Sequence, residues 1–433
     1  MADVRVGPPA AGLTGAVAVP GDKSIAHRAL LLGALASGTT RVTGFPGGAD
    51  VLSSLGAMRA LGARIERDGQ VVEIEGRGAA LGADGRVAID CGNSGTTMRL
   101  TAGLVAGRAG TVVLDGDGSL RRRPMERVAE PLRAMGATIE TTDGHPPLTV
   151  GGGALTGVDW TLRVASAQVK SAILLAALRA RGTTRVGEPL ASRDHTERLL
   201  SHLGARVVRR AGSIEIDGGQ RLTGAPVALP GDVSSAAFLV VAALVVPGSA
   251  LRLSDVGVNP TRTGALAILR RMGAPIDVLD THDVAGEPRA ELRVRSARLH
   301  GTTVTPAEVP GAIDELPILC VAAALADGET TIAGAGELRV KESDRIAALE
   351  QLKLLGVDVR TTSDGLVIRG SGGRRLGGGR IESHGDHRIA MAFGVAGLVA
   401  EGGVAIADAG CADVSFPGFF VRLGELGARV EGA

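Results

Sequence analysis

Cationic side chains occupy the first turns of a predicted apolar helix. The stretch PGDKSIAHRALLLGALA, residues 20–36, opens with a Pro-Gly turn and then places Lys23, His27 and Arg28 at the helix start. The positive end of a helix dipole favours acids at this position and disfavours cations. An anion held jointly by the helix amides and these cations would remove the conflict. The pattern therefore predicts an anion-binding site at this helix start.

Further polar residues gather at two recurring places, the starts of other apolar helices and the loops that precede second helices. The helix starts read CGNSGTT (91–97), ASAQVKS (165–171), PGDVSS (230–235), PGAIDELP (310–317) and HGDHR (384–388). The loops include RRRPM (121–125), EPLASRDHTER (188–198), VNPTRTG (258–264) and RVKESDR (339–345). Taken singly, each stretch fits a helix cap or an exposed turn. Taken together, they predict a cleft for a strongly anionic small molecule, with acid–base groups beside it.

Internal repeats supply the elements that must position these residues. Similar segments, in which Gly ends a helix and a strand follows, are LGARI (61–65), MGATI (135–139), LGARV (203–207), MGAPI (272–276), LGVDV (355–359) and LGARV (426–430). Each repeat is interpreted as helix, strand, loop, helix, Gly, strand, strand. The likeness of LTGAVAVPGDKS (13–24) to LTGAPVALPGDVSS (222–235) groups the six repeats into two domains of three.

Composition excludes several classes of protein. The chain has 433 residues, a net charge of +1, 2% aromatic residues and no Tyr. This charge argues against a general nucleic-acid or membrane-surface binder. Cys91, Cys320 and Cys411 form no CxxC pair, so neither a disulfide framework nor a metal site is expected. The N-terminus shows no signal sequence and the apolar runs are short, so we expect a soluble, cytoplasmic protein.

The motif set resembles that of the 5-enolpyruvylshikimate-3-phosphate (EPSP) synthases over nearly the whole chain. The resemblance rests on PGDKSIAHRALLLGALA, GNSGTTMRL, RRRPM, SAQVKSAILLAAL, RVKESDRI and GDHRIAMAF, which occur in the order typical of that family. SAQVK, RDHTE and NPTR further resemble the bacterial class II subgroup, in which glyphosate tolerance is common. The resemblance implies transfer of the enolpyruvyl group of phosphoenolpyruvate to shikimate 3-phosphate, with release of phosphate and with no metal or organic cofactor.

The resemblance also implies a fold and a domain organisation. The expected class is α/β, with two similar domains, each of three βαβαββ units around buried helices. Residues 21–230 would form one domain, and residues 1–20 with 231–433 the other, with two crossovers and the active site in the cleft between them. We expect a monomer, and glyphosate is a candidate inhibitor.

Site residues follow from the resemblance position by position. Those implied for shikimate 3-phosphate are Lys23, Ser24, Arg28, Ser166, Ala167, Gln168, Arg193, Asp314 and Lys341. Those implied for phosphoenolpyruvate are Lys23, Asn93, Gly95, Arg123, Gln168, Arg345 and Arg388. Asp314 is the candidate base or orienting group for the 5-hydroxyl. Glu342 and Lys23 are the candidates for proton transfer at C3 and at the departing phosphate.

The sequence departs from the enterobacterial pattern at three positions. Glu337 stands where that pattern has an Asn that contacts the substrate, and Val414 stands where it has a Lys that reaches phosphoenolpyruvate, so neither contact is carried over to this chain. Ala167 stands in place of a Ser. Gly95 leaves room for glyphosate, whereas some tolerant relatives have Ala in that loop, and tolerance stays an open hypothesis. The nearest alternative is the enolpyruvyl transferase that acts on UDP-N-acetylglucosamine, but the stretch DGDGSLRRRPM lacks the reactive Cys typical of that family. A non-catalytic repeat scaffold would not need these residue types at its helix starts, and no GxGxxG unit supports a dinucleotide-binding enzyme.

Overall fold

The computed structural model describes residues 3–82 and 85–432, which divide into two compact units. The N-terminal unit, as we call it, comprises residues 21–229 and the short segment 283–287. The C-terminal unit comprises the remaining described residues, namely 3–20, 230–282 and 288–432. Across both described ranges, every helix is too short or too polar to cross a membrane.

Helices and strands are distributed along the whole of the described chain. The α-helices are α1 (Lys23–Leu35), α2 (Ala49–Ala60), α3 (Gly95–Val105), α4 (Gly118–Arg121), α5 (Glu126–Ala134), α6 (Ala167–Ala177), α7 (His195–His202), α8 (Val233–Val245), α9 (Gly264–Arg271), α10 (Val309–Ala312), α11 (Leu316–Leu325), α12 (Arg345–Leu349), α13 (His387–Gly397) and α14 (Phe419–Glu425). Short 3-10 helices span Gly78–Ala80, Gly336–Val340, Glu350–Leu355 and Ala409–Val414.

The strands are short and evenly distributed. They are β1 (Val4–Gly7), β2 (Thr14–Ala18), β3 (Thr39–Thr43), β4 (Arg64–Asp68), β5 (Val71–Glu75), β6 (Arg86–Asp90), β7 (Thr111–Asp115), β8 (Thr138–Thr142), β9 (His145–Gly151), β10 (Asp159–Thr161), β11 (Thr183–Gly187), β12 (Val207–Arg210), β13 (Ser213–Asp217), β14 (Val227–Ala228), β15 (Ala250–Gly257), β16 (Ile276–Val284), β17 (Glu287–Arg295), β18 (Thr303–Val304), β19 (Glu329–Ile332), β20 (Asp358–Thr361), β21 (Leu366–Arg369), β22 (Gly379–Glu382), β23 (Val404–Ala407) and β24 (Arg429–Glu431).

The strands of the described chain form six four-stranded sheets, one for each predicted repeat. Each sheet is mixed: in the second, β6 pairs parallel with β7, and β9 pairs antiparallel with both β7 and β8. Strands β1 and β2 pair with β23, β24 and β15 of the C-terminal unit, whereas β14 pairs with β3 of the N-terminal unit. The predicted α/β fold of repeated units is confirmed.

The first helix of each repeat is buried on nearly all sides. These are α1, α3 and α6 in the N-terminal unit, and α8, α11 and α13 in the C-terminal unit, and each set lies in its own apolar core. Small residues allow close approach: a Cβ on Gly103 of α3 would lie 2.2 Å from the Ala172 carbonyl oxygen of α6. Small residues therefore let these buried helices pack at close range.

One predicted helix has a different geometry. In the repeat that contains LGVDV, the helix expected before Gly356 is α-helical only from Arg345 through Leu349. It continues as a 3-10 helix to Leu355, and Gly356 is then left-handed with a φ of 80°. Leu349, Leu352 and Leu355 are all fully buried. Their spacing of three residues puts them on one face of a 3-10 helix, which explains the change of geometry.

Candidate active site

Capping side chains fix the starts of the buried helices. The Asp22 carboxylate accepts a hydrogen bond from the Ile25 amide at 3.0 Å, and the Ser94 hydroxyl accepts one from the Thr97 amide at 3.1 Å. Ser166 and Asp386 cap α6 and α13 in the same way. Because the cap sets the direction of the first helical turn, the polar residues that follow it are held in defined places.

Lys23 and Arg28 are both held by partners outside their own helix. The Lys23 ammonium lies 2.8 Å from the Asp50 carboxylate at the start of α2. Arg28 is buried, and its Nε donates to the Thr196 hydroxyl at 2.6 Å while its Nη2 donates to the Ser171 hydroxyl at 2.9 Å. Its Nη1 also donates to the carbonyl oxygen of Ser24, within the same helix start. Both cations are therefore positioned before any ligand arrives.

The start of α3 forms a second cationic group with two neighbouring loops. The Arg123 guanidinium donates to the side-chain oxygen of Asn93 at 2.5 Å. Gln168 accepts a hydrogen bond from Arg99 at 2.6 Å and donates one to the Thr96 hydroxyl at 2.9 Å. The structure thus brings Asn93, Arg123 and Gln168 to the same helix start.

Gly95 leaves open the space in front of this group. A Cβ at this residue would lie 3.0 Å from Nη1 of Arg99 and 3.2 Å from Nη1 of Arg123. The absence of a side chain therefore lets both guanidinium groups approach the first amides of α3.

The remaining predicted residues of the N-terminal unit lie at the starts of α6 and α7. Ser166 caps α6, Ala167 is its first residue, and Arg193 is half-buried in the loop that precedes α7. The start of α6 thus presents a hydroxyl and free backbone amides, and the loop presents a cation.

In the C-terminal unit, Asp314 lies among three cations just before α11. Its carboxylate oxygens are 3.5 Å from the Lys341 ammonium and 3.6 Å from the guanidinium groups of Arg345 and Arg388. Arg388 also donates to the backbone carbonyl of Asp314 at 2.8 Å. The structure therefore gathers Lys341, Arg345 and Arg388 around the Asp314 carboxylate, and the fifth predicted residue of this unit, Glu342, contacts Arg345.

Arg345 is held by carboxylates on its other side. Its Nε donates to the fully buried Asp386 at 2.8 Å, and its Nη2 donates to Glu342 at 2.6 Å. Burial opposes the charged form of Arg345, but the charges of Asp386 and Glu342 outweigh it and raise the pKa of Arg345. Burial likewise opposes ionisation of Asp386, yet Arg345 lowers the pKa of that carboxyl. The arrangement keeps a permanent cation beside Asp314 and Glu342.

His27 is a buried neutral base next to the first cationic group. Burial lowers its pKa from 6.5 to about 3, and Lys23 and Arg28 add to the effect although Asp50 opposes it. Its Nδ1 forms a hydrogen bond of 2.7 Å with the Ser54 hydroxyl, which lies 2.8 Å from the Thr97 hydroxyl. This chain of hydroxyls joins α1 to α2 and α3.

The start of α8 differs from the others because the protein occupies it with its own cation. Arg262 donates to Asp232 at 3.0 Å and to the Ser234 hydroxyl at 2.8 Å, and all three are buried. The motifs PGDVSS and VNPTRTG therefore meet each other.

Sequence reasoning missed residues that hold the predicted ones. Asp50, Asp386 and Thr196 act as partners of Lys23, Arg345 and Arg28, and Arg99 contacts Gln168. Arg99 carried a local signal, since it lies four residues after Gly95 on the same face of α3, and Asp386 and Thr196 lie within the motifs HGDHR and RDHTER. The other pairings depend on tertiary packing and have no signature in one sequence.

The cations around Asp314, and those at the starts of α1 and α3, can bind phosphate and carboxylate oxygens, and the Asp314 carboxylate can accept or donate a proton. Within residues 3–82 and 85–432 no cluster of His, Cys, Asp or Glu has the composition of a metal site. Glu337 lies in the 3-10 helix that precedes Lys341, and Val414 ends another, so both departures fall in irregular segments.

Comparison with known proteins points to one family. The family model of EPSP synthase (3-phosphoshikimate 1-carboxyvinyltransferase) matches residues 8–423. A 3-phosphoshikimate 1-carboxyvinyltransferase of Halorhodospira halophila is 56% identical over 98% of this chain and 96% of the relative. One of Desulforudis audaxviator is 54% identical over 96% of this chain and 98% of the relative. The solved EPSP synthase of Acinetobacter baumannii is 43% identical, with a TM-score of 0.87 over 100% of both chains.

Proposed function

The chain belongs to the EPSP synthase family, and we propose how its two groups of side chains carry out the reaction of that family. The enzyme transfers the enolpyruvyl group of phosphoenolpyruvate to the 5-hydroxyl of shikimate 3-phosphate and releases phosphate. This is a step of the shikimate pathway to aromatic amino acids. Transfer to UDP-N-acetylglucosamine is not favoured, because the matching relatives are 3-phosphoshikimate enzymes.

The observation that carries the proposal is the set of cations gathered around Asp314. The two substrates bring two phosphates and two carboxylates together, and their mutual repulsion in a closed site would be prohibitive without cations. Lys341, Arg345 and Arg388 provide three positive charges within 3.6 Å of Asp314. We assign these charges to the substrates, together with the cations of the N-terminal unit, so that residues of both units bind the same substrate pair.

For shikimate 3-phosphate, the proposed ligands combine helix-start amides with cations. Ser166 and Ala167 offer a hydroxyl and a backbone amide at the start of α6. The full proposed set is Lys23, Ser24, Arg28, Ser166, Ala167, Gln168, Arg193, Asp314 and Lys341. Buried Arg28 is already oriented by two hydroxyls, which reduces the entropy lost on binding.

For phosphoenolpyruvate, the proposed ligands are mainly arginines because a guanidinium matches carboxylate and phosphate oxygens in two-point contacts. The proposed set is Lys23, Asn93, Gly95, Arg123, Gln168, Arg345 and Arg388. The open space in front of Gly95 supports this assignment, since a substrate anion can reach the amides of α3 there.

Proton transfer is assigned to three groups. As the 5-hydroxyl attacks C2 of phosphoenolpyruvate, its proton passes to Asp314, while C3 gains a proton from Glu342 or Lys23. The tetrahedral intermediate then returns a proton from C3 to the group that supplied one, and the C–O bond to phosphate breaks as the double bond re-forms, so that phosphate leaves with the bonding electron pair. Arg345 stabilises the charge on Glu342 through their contact of 2.6 Å. The assignment uses each group within a shared proton network.

Isothermal titration calorimetry of shikimate 3-phosphate tests the proposal that both units bind this substrate. We expect Arg28→Met, in the N-terminal unit, and Lys341→Met, in the C-terminal unit, each to weaken binding by about tenfold or more. The exposed cation Lys353, which pairs with Glu350, provides a control in Lys353→Met. Unchanged affinity in either test variant would refute the assignment for that unit.

Three narrower expectations belong to the same proposal. Glyphosate, itself a small anion, is proposed to compete with phosphoenolpyruvate. Its inhibition constant, measured in the steady-state assay, gives the degree of tolerance. The enzyme is proposed to act as a monomer in the cytoplasm. Sedimentation analysis at assay concentration tests the first of these states, since a stable dimer would contradict it, and cell fractionation tests the second.

A further inference from the structure

Lys170 of α6 is a buried cation outside the proposed ligand set. Its side chain is 1% exposed, and its ammonium lies 2.7 Å from the Glu197 carboxylate and 3.0 Å from the Glu188 carboxylate. Burying one ammonium with two carboxylates costs desolvation energy, and apolar residues of similar size would often be as stable there. Stability alone therefore does not explain this cluster.

The residues next to this ion pair in the sequence are the ones that hold Arg28. Ser171 follows Lys170, and Thr196 precedes Glu197. Their hydroxyls accept hydrogen bonds from Arg28 and lie 2.6 Å from each other. The dipeptides 170–171 and 196–197 thus each contribute one charge to the buried pair and one hydroxyl to Arg28. The ion pair consequently fixes the distance between the starts of α6 and α7 beneath this guanidinium.

Glu188 extends the cluster to the loop that carries Arg193. While one of its oxygens contacts Lys170, the other accepts hydrogen bonds from the Ser192 amide at 3.2 Å and from the Ser192 hydroxyl. Lys170 also donates to the Ser192 carbonyl at 3.4 Å. The residue immediately before Arg193 is therefore tied to the same ammonium.

We propose that Lys170, with Glu197 and Glu188, is a positioning residue that sets the places of Arg28 and Arg193 for shikimate 3-phosphate. The inference rests on the proposed binding set, in which both arginines hold this substrate. It assigns no direct substrate contact to Lys170. The inference predicts a selective effect: loss of the cluster weakens the binding of shikimate 3-phosphate and leaves the binding of phosphoenolpyruvate nearly unchanged.

Steady-state kinetics and calorimetry of Lys170→Met test this selectivity. We expect the KM and Kd for shikimate 3-phosphate to rise about tenfold, with the KM for phosphoenolpyruvate and kcat within about threefold of the wild type. Because the single variant leaves two buried carboxylates without their cation, the single variant Glu197→Leu and the double variant Lys170→Met/Glu197→Leu are measured as well. If the two residues act as a unit, the double variant loses no more affinity than the worse single variant.

Arg108 supplies the matched control for removal of a buried cation in the same unit. It is 1% exposed and donates to the carbonyls of Leu104 and Ala79, away from the proposed ligands. Arg108→Met is expected to lower the melting temperature while leaving the KM for shikimate 3-phosphate unchanged. The inference is overturned if Lys170→Met behaves like this control, if both KM values rise together, or if the losses in the double variant add.

The Arg28→Met variant separates this inference from the proposed binding set. If Arg28→Met loses affinity for shikimate 3-phosphate and Lys170→Met does not, only the positioning role is wrong. If Arg28→Met keeps wild-type affinity, the binding set itself is wrong.

Discussion

At the scale of single residues, the site works by placing charges of both signs within a few ångströms of each other. Arg345 contacts Asp386, Glu342 and Asp314, and the first of these is fully buried. A buried ion pair such as Arg345–Asp386 is costly to desolvate, but removal of either partner strongly destabilises the protein because it leaves a buried charge uncompensated. The carboxylates therefore hold the Arg345 guanidinium in a defined orientation, which reduces the entropy lost when it binds an anion.

Asp314→Asn tests the proton-transfer role directly. The amide keeps the size of the side chain but can no longer accept a proton from the 5-hydroxyl. We expect kcat to fall by about 100-fold to 10,000-fold, whereas the KM for phosphoenolpyruvate changes little. Asp344→Asn is the matched control, since Asp344 caps α12 and Asn caps a helix equally well. Equal activity of the two variants would exclude Asp314 as the acid–base group.

Gly95→Ala tests whether the open space before α3 matters for binding. The new Cβ would lie 3.0 Å from Nη1 of Arg99 and 3.2 Å from Nη1 of Arg123, both at the ends of flexible side chains. The fold should survive while the guanidinium groups shift. We expect the KM for phosphoenolpyruvate and the inhibition constant of glyphosate to rise about tenfold or more. Unchanged values for both ligands would remove Gly95 from the binding set.

At the scale of secondary-structure elements, the starts of the buried helices are the functional unit. The starts of α1, α3, α6, α8 and α13 each combine a capping side chain, free amides and residues that follow the cap at fixed positions, whereas the N-cap residue of α11, Glu315, forms no side-chain cap. The hydroxyl chain from His27 through Ser54 to Thr97 then ties α1, α2 and α3 together. The relative positions of the cations at the start of α1 and at the start of α3 thus depend on these buried hydrogen bonds.

Acid should lower the free energy of unfolding, because His27 is buried in its neutral form and has a pKa of about 3 in the folded protein. An unfolded His binds a proton below about pH 6.5, so between these values the unfolded state holds more protons and stability falls as the pH falls. We expect the wild type to lose about 2 kcal/mol more than His27→Asn between pH 7 and pH 5 in urea unfolding. Replacement of the exposed His300 by Asn should leave the pH dependence unchanged, and parallel curves for wild type and His27→Asn would contradict this account.

Close packing of α3 on α6 gives a stability prediction. A Cβ at Gly103 would meet the Ala172 backbone carbonyl at 2.2 Å, so Gly103→Ala must push the helices apart. We expect a loss of about 3 kcal/mol, seen as a fall in melting temperature of about 5 to 10 °C. At Gly56, in the exposed part of α2, a Cβ meets nothing within 4 Å, and Gly56→Ala should be neutral or stabilising. A similar effect of the two substitutions would refute the packing argument.

The sequence predicted elements better than the contacts between them. Gly stops, caps and apolar runs are local signals, so the six repeats and the helix starts could be read without a structure. The pairing of Lys23 with Asp50 could not, because the two residues belong to different helices that meet only after folding. The 3-10 continuation after Leu349 was also missed, since its leucines fit an α-helical period almost as well.

At the scale of the whole molecule, repetition explains why one chain offers so many anion-binding positions. Six similar repeats place buried helices in two units, and each unit presents its own set of cations. Because the repeat recurs along the chain, the protein has several helix starts, each of which can bind an anion weakly. Together these starts can bind a pair of polyanionic substrates. The start of α8 differs from that of α1, because the protein's own Arg262 contacts Asp232 and Ser234 there.

The most direct test of this account is the rate of phosphate release from phosphoenolpyruvate with alternative acceptors. We predict release with shikimate 3-phosphate, no release with UDP-N-acetylglucosamine, and a rate lowered by about 100-fold or more in Asp314→Asn. Release with the UDP-sugar alone, or with neither acceptor, would contradict the assigned reaction.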